Sequence, residues 1–445
     1  MALLNLGQFY FSTNPLYKYI RNIATQILQY KIFNLKVSKY LIIINLVFSF
    51  FNCFAWQDTS LIHKNLAVNN SASAIDSSKQ RDVIDIILKI LNKNTPANKR
   101  KISAKLNFAA VPAAGYSLST GYGAAVIGNV AFFTSTDHKE NLSAISLEAF
   151  LDTRAQKVLI SRGQVWADKN RYKLVTDLRV EKFPDDTYGL GTFTTNADDV
   201  PIVYYYLRTY LTLFRTITPD FYAGIGYSLD YHYNISETGG APDVISDFRK
   251  YGELNASSSS GINYSLLYDS RRNPINPLNG AYASIIYRDN YRFLGSDDNW
   301  RELEIDLRKY FRVSPNSNNI LAVWALAAFT NGHVPYLDLP ATGYDMYDNS
   351  GRGYKINRFR GRNMLYAEAE YRFGITSNGL LGAVVFANAE SFSEFRSNRF
   401  EKIAPAAGPG IRIKMNKHSN TNVSIDYAIG TGGSHGIFAT IGEVF

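Results

Sequence analysis

The sequence predicts an all-β protein: a transmembrane antiparallel β-barrel of about sixteen strands. Three observations predict it. Aromatics make up 14% of the chain, with 31 Tyr and 27 Phe, yet the mean hydropathy is −0.16. From residue 103 onward, short apolar runs recur, most with period two. The connections between these runs alternate between long and short. A helical membrane protein would instead repeat apolar runs of about 20 residues, and no such run recurs.

The amino end reads as a leader. Residues 1–55 carry Lys18, Arg21, Lys31, Lys36 and Lys39 and no acid. Lys36 and Lys39 precede the apolar run 40–51, and small residues end at Ala55, before Trp56. A basic region, a short apolar core and a small-residue site describe a secretory signal cleaved between Ala55 and Trp56. A membrane anchor helix is the alternative, but the run is shorter than the roughly 20 residues a span needs. The stretch before Lys36 is unusual for a signal and reads as an over-extended start. Cys53 is the only cysteine, and Phe51-Asn52 before it are larger than a lipid-attachment site prefers. Cleavage after Ala55 removes it and leaves no disulfide chemistry. The formal charge of +9 is partly local to this leader. Without those five residues, 42 of the 47 basic residues face 38 acidic ones, a weak case for nucleic acid.

Residues 56–102 form a polar segment, expected on the periplasmic side. Within it Val83, Ile86, Ile87, Ile90 and Leu91 share one face of a helix expected over 81–93. Such a helix packs near the barrel mouth, or lies on a membrane surface or partner. The barrel follows at 103–445.

Strands are expected to start near Ser103, Thr120, Asn141, Gln156, Arg171, Pro201, Asp220, Ser257, Asn279, Trp300, Asn319, Arg362, Gly379, Pro405, Thr421 and Gly436. In the tenth, Leu303, Ile305, Leu307 and Phe311 oppose Glu302, Glu304, Asp306 and Arg308. In the twelfth, Leu365, Ala367, Ala369, Tyr371 and Phe373 oppose Tyr366, Glu368, Glu370 and Arg372. In the sixth, Val203, Tyr205, Leu207, Leu211 and Leu213 oppose Tyr204, Tyr206, Arg208 and Tyr210. Alternation puts the two sets on opposite faces. Apolar residues outward and charges inward suit a lipid-facing wall around a polar lumen. A soluble all-β protein would need core partners for those charges. An even strand count brings both ends to one rim. Long connections are then expected at 184–200, 234–256 and 331–361 on the outer side. Periplasmic turns are short, apart from 270–278 with its two prolines. Phe445 ends an alternating last strand, a feature that serves as an outer-membrane assembly signal. Glu443 departs from the apolar residue often found there.

The connection 331–361 holds Gly351-Arg352-Gly353-Tyr354, an arginine on a backbone free to bend. Taken alone it reads as an exposed loop arginine, and only the flanking strands turn the reading inward.

Four stretches together resemble the outer membrane protein 85 (bacterial surface antigen) superfamily. Tyr268-Asp269-Ser270-Arg271-Arg272-Asn273 with Pro277-Leu278-Asn279-Gly280 resembles its D-x-R-x-N … P-x-x-G turn. Arg352-Gly353-Tyr354 resembles the R-G-F/Y motif of its sixth outer loop. Glu370-Tyr371-Arg372-Phe373 resembles the strand that follows. Gly408-Pro409-Gly410-Ile411-Arg412, Asp426-Tyr427 and Phe445 resemble its last strands. The resemblance implies a sixteen-strand barrel whose sixth loop folds into the lumen. It implies that Arg352 is held there by the wall, including the Asp of an F-x-D-x-G motif. Here that motif reads Phe386-Ala387-Asn388-Ala389-Glu390. Asn388 can accept from the guanidinium but brings no charge. Glu368, Glu370 and Asp426 face inward by alternation and are the candidate carboxylates. Relatives also carry POTRA modules before the barrel, and the stretch between Ala55 and Ser103 is too short to hold one. The resemblance implies a barrel that aids insertion or translocation of protein or lipid in the outer membrane, with partner proteins.

The six histidines, His63, His138, His232, His333, His418 and His435, show no ligand spacing, so no metal or other cofactor is expected. No nucleophile elbow or phosphate loop appears. No small-molecule substrate is inferred. The competing readings are a passive pore or structural barrel, and an outer-membrane hydrolase with Ser and His on separate strands.

Overall fold

The computed structural model describes residues 80–90, 107–117, 121–135, 140–239, 245–252, 255–314, 317–417 and 419–445. The signal and its cleavage site at Ala55 and Trp56 lie outside these, as does the expected first strand start at Ser103.

Sixteen strands run in sequence order through one antiparallel sheet. They are β1 Asn107–Ser117, β2 Gly121–Phe132, β3 Ser143–Asp152, β4 Lys157–Ala167, β5 Tyr172–Thr187, β6 Val200–Thr218, β7 Phe221–Glu237 and β8 Ala256–Asp269. The sheet continues through β9 Gly280–Asn290, β10 Trp300–Arg312, β11 Ile320–Gly332, β12 Asn363–Gly374, β13 Leu381–Phe392, β14 Ala404–Asn416, β15 Thr421–Gly430 and β16 His435–Ile441. The fifteen from β2 onward each begin within two residues of their expected position. Each pairs with its sequence neighbour, so only β1 and β16 are left to meet. They lie side by side, but among the described residues no backbone ladder joins them. Pro112, in the middle of β1, has no N–H to offer either neighbour.

Burial follows the alternation. Along β12, Met364, Tyr366, Glu368, Glu370 and Arg372 are buried, while Leu365, Ala367 and Ala369 are exposed. Exposed Leu307, Phe311, Leu321, Val385, Ile411 and Ile425 continue an apolar outer band. The fold is therefore inside-out: its charges are interior and its leucines and isoleucines form the outer wall.

The long connections lie on one rim, at 188–199, 238–255, 291–299, 333–362 and 393–403. They are shorter than the sequence implied where β5 and β7 run on to Thr187 and Glu237. Two connections on the opposite rim are also long. The expected one is 270–279. The other is 133–142, between β2 and β3.

Helix α1, Val83–Ile90, sits at the short-turn rim. Asp82 and Asp85 cap it reciprocally: Asp85 N–H donates to Asp82 Oδ1 at 2.8 Å and Asp82 N–H to Asp85 Oδ2 at 3.2 Å. These acids also dock it. Lys417, between β14 and β15, donates through its backbone N–H to Asp82 at 3.0 Å and through Nζ to Asp85 at 2.7 Å. The anchor is thus ionic, and Ile86 of the expected apolar face is exposed. Burial pulls the Asp85 carboxyl up, but the Lys417 ammonium and the backbone N–H of Asp82, both donating to it, pull harder and hold it below its ordinary value. A lowered carboxylate contributes fully at neutral pH and is lost as pH falls through its folded pKa. We expect amide-exchange protection of α1 to be flat from neutral pH down to the ordinary carboxylate pKa of about 4 and to fall below it. Lys417→Ala, which keeps the backbone bond to Asp82 but removes the ion pair, should lower that protection at pH 7.

Candidate functional site: an arginine held inside the barrel

The connection 333–362 is the sixth on the long-loop rim, and it descends into the lumen. Asp345 braces it, accepting from the backbone N–H groups of Asn349 at 2.8 Å and Ser350 at 2.6 Å. Gly351 and Gly353, at φ +82° and +111°, turn the chain on either side of Arg352. A Cβ on Gly353 would lie 2.5 Å from that of Ala406, so the loop rests against the wall only because no side chain is there.

Arg352 is 3% exposed and its guanidinium meets three carboxylates. Nη2 donates to Glu368 and Glu370 on β12, and Nη1 donates to Asp426 on β15. The ring of Phe386, on β13, lies 3.7 Å from the guanidinium carbon. Small neighbours make room. Ala322 stands opposite Glu370 and Gly410 opposite Asp426 in the ladders, and a Cβ at Gly410 would collide with the Asp426 carboxylate.

Asn388 acts differently from the sequence expectation. It does not accept from the guanidinium. Its Nδ2 donates to the backbone carbonyl of Arg352 at 2.9 Å, and its Oδ1 has no partner. The register explains this: Asn388 stands opposite Glu368, which already occupies the guanidinium edge. Glu390, two residues on, accepts from Thr342 of the same loop at 2.9 Å. Both departures from the F-x-D-x-G pattern thus grip the loop. Tyr354 donates from its hydroxyl to the Pro405 carbonyl at 2.7 Å and accepts from Thr431 N–H at 2.9 Å.

The loop is also tied to the far wall. Arg179 on β5 donates to the Met346 carbonyl at 2.6 Å and pairs with Asp348 at 3.3 Å, and Lys355 pairs with Asp186 at 3.1 Å. It therefore crosses the lumen between β5 and the β12–β15 wall.

Sequence reasoning missed half of the charge network. Arg372 bonds Glu370 at 2.7 Å, and Arg412 bonds Asp426 at 2.5 Å and Glu443 at 2.7 Å. Three arginines thus share four acids. The inward parity of Arg372 was the available signal; Glu443 had looked only like an anomaly. Phe445 is also placed differently. β16 stops at Ile441, Gly442 turns at φ +106°, and the last residues enter the lumen. Phe445 is buried against Trp324, ring centroids 5.2 Å apart, and is not on the strand. Among the described residues, no group of three His, Cys, Asp or Glu side chains is placed to hold a metal.

An outer apolar band, an interior of charges and a loop pinned across the lumen define a self-plugged outer-membrane barrel. The chain belongs to the Omp85 superfamily, whose domain model matches residues 143–435. It is similar in fold to BamA from Haemophilus ducreyi lacking POTRA domains 1-3, with a TM-score of 0.51 and 14% identity over 76% of this chain and 70% of that one. It is also similar to CdiB from Acinetobacter baumannii, with a TM-score of 0.51 and 13% identity over 76% of this chain and 60% of that one. CdiB from Escherichia coli matches with a TM-score of 0.50 and 10% identity, over 78% of this chain and 64% of that one. The chain thus spans less than two thirds of either CdiB. No curated protein matches it in sequence. Its place is the outer membrane of Gram-negative bacteria.

Removing Arg352 leaves the buried Glu368 without a cation and takes one cation each from Glu370 and Asp426, which keep Arg372 and Arg412. Breaking a buried pair by deleting one partner costs about 3–5 kcal/mol. We expect Arg352→Ala to lower markedly the temperature at which the folded band is lost on semi-native gels. Adding Glu368→Gln to Arg352→Ala should recover part of that loss. Gly353→Ala, which forces a Cβ into Ala406 at positive φ, should cost about 1–3 kcal/mol by the same assay.

Proposed function

We propose that this barrel assists the insertion or translocation of protein or lipid at the outer membrane, working with partner proteins. The carrying observation is an asymmetry of joints. β12, β14 and β15 are bound to one another and to the segment after β16 through Arg352, Arg372, Arg412 and their acids. Among the described residues, β1 has a backbone ladder to β2 and none to β16. The seam between β1 and β16 is thus the weakest joint in the wall. A parted seam exposes unpaired backbone edges, on which an incoming strand can pair. In this reading Arg352 holds the sixth loop against the β12–β15 wall, keeping that side rigid while the seam moves. With the amino end periplasmic, the long-loop rim faces outward and α1 lies on the periplasmic side.

Depletion of the protein in its native cell should lower the amount of one or more outer-membrane barrels, or change outer-membrane lipid content, by quantitative mass spectrometry. Arg352→Ala expressed in place of the wild type should restore less than half of what the wild-type gene restores. An unchanged outer-membrane composition after full depletion sinks the proposal. A passive pore is the competing reading. The loop that crosses the lumen, tied to both walls, speaks against it.

A further inference from the structure

The rim opposite the long loops is also crossed from wall to wall. The connection 270–279, between β8 and β9, reaches beyond its own hairpin. Asn273 donates from Nδ2 to the Ser419 carbonyl at 3.1 Å, and Asn276 donates to the Asn420 carbonyl at 3.2 Å. Ser419 and Asn420 belong to the turn between β14 and β15, six strands away around the barrel. The crossing segment is stiff. Asn273 Oδ1 accepts from the N–H of Ile275 at 2.9 Å, and Asp269 holds the Arg271 side chain at 2.9 Å. Pro274 and Pro277 fix two further φ angles.

Beneath this segment lies the chain's inward-turned end. The Glu443 N–H points at the Ile275 carbonyl, 3.4 Å away, and Leu278 packs against the cluster that holds Val444 and Phe445. The end is held from above by the sixth loop: Asn349 donates to the Val444 carbonyl at 3.0 Å. Arg372 donates to the Phe445 carbonyl at 2.8 Å while its Nε holds Glu370, which Arg352 shares.

We propose that residues 270–279, seated on 442–445, form a second closure of the lumen, at the short-turn rim. The sixth loop closes the lumen from one side and this strap closes it from the other. Their bonds differ in kind. The sixth loop is anchored by charged pairs, while the strap's crossing bonds are two neutral amide–carbonyl bonds, which are the weaker class. The strap is therefore the closure that yields first. Asn349 and Glu443 carry the position of one closure to the other. The inference stands on the barrel and its contacts, and it holds whatever the barrel's cargo is.

Planar-bilayer conductance of the full chain tests it. Arg352→Ala alone, and Asn273→Ala with Asn276→Ala alone, should each leave conductance within about twofold of wild type. The three substitutions together should raise it at least tenfold. If either lesion alone reaches the combined value, there is only one closure and the proposal fails. A second measurement does not depend on opening the barrel. In a Cys53→Ser background, which removes the one native cysteine, Asn273→Cys and Ser419→Cys should be bridged in membranes by a short bismaleimide, read as one cross-linked peptide by mass spectrometry. Two separately labelled thiols and no bridge would overturn the strap. Neither readout measures outer-membrane composition, so its failure is distinct from failure of the insertion reading.

Discussion

The interior of this barrel depends on one buried arginine. A guanidinium taken out of water is tolerable only where acids replace its hydration, and several kcal/mol per ion is at stake. Arg352 reaches three acids from two strands, which is possible because it enters from a loop above them. Those acids need more than one cation in their turn. Arg372 and Arg412 take the free oxygens of Glu370 and Asp426, and Glu443 neutralises what remains on the arginines. Each group thereby holds its neighbour's charge state and rotamer, and no member is removed without stranding another.

An inside-out wall makes such a network affordable in structural terms. A soluble barrel fills its centre with apolar side chains and excludes charge. Here the apolar residues face lipid, so the centre is filled by chain: the sixth loop, the inward end and the aromatic cluster of Tyr310, Trp324, Tyr366 and Phe445. The lumen-facing carboxylates of β12 are then not isolated in hydrocarbon. They face guanidinium groups and a hydroxyl, that of Tyr366, which donates to Glu368.

What was legible in the sequence followed period. Alternation gives each strand's faces directly, so fifteen strand starts and the inward set Glu368, Glu370 and Asp426 could be read from it. The sixth-loop arginine needed the resemblance as well, since one glycine-flanked arginine has no period. Contacts fixed by register between strands were not legible. Asn388 turned from acceptor to donor because Glu368 stands opposite it. Glu390 and Glu443 looked like departures from a pattern and proved to be bonded to Thr342 and Arg412. The docking of α1 rests on a contact of the same kind. Its apolar periodicity was plain, but its ion pair with Lys417, more than three hundred residues away in sequence, was not legible.

Position 388 carries no charge, so the acids that hold the guanidinium stand on other strands. In the pattern that 386–390 resembles, an Asp stands there, on β13. With Asn388 on the loop's backbone carbonyl, the guanidinium is left to Glu368, Glu370 and Asp426. Two of these acids, Glu370 and Asp426, are the ones that Arg372 and Arg412 share, and those arginines hold Phe445 and Glu443. The anchor of the loop is thereby shifted from β13 toward the strands and the end next to the seam. A displacement of the sixth loop then reaches the segment after β16 through three consecutive charged contacts, Arg352–Asp426, Asp426–Arg412 and Arg412–Glu443, which a single loop-to-β13 ion pair would not have provided.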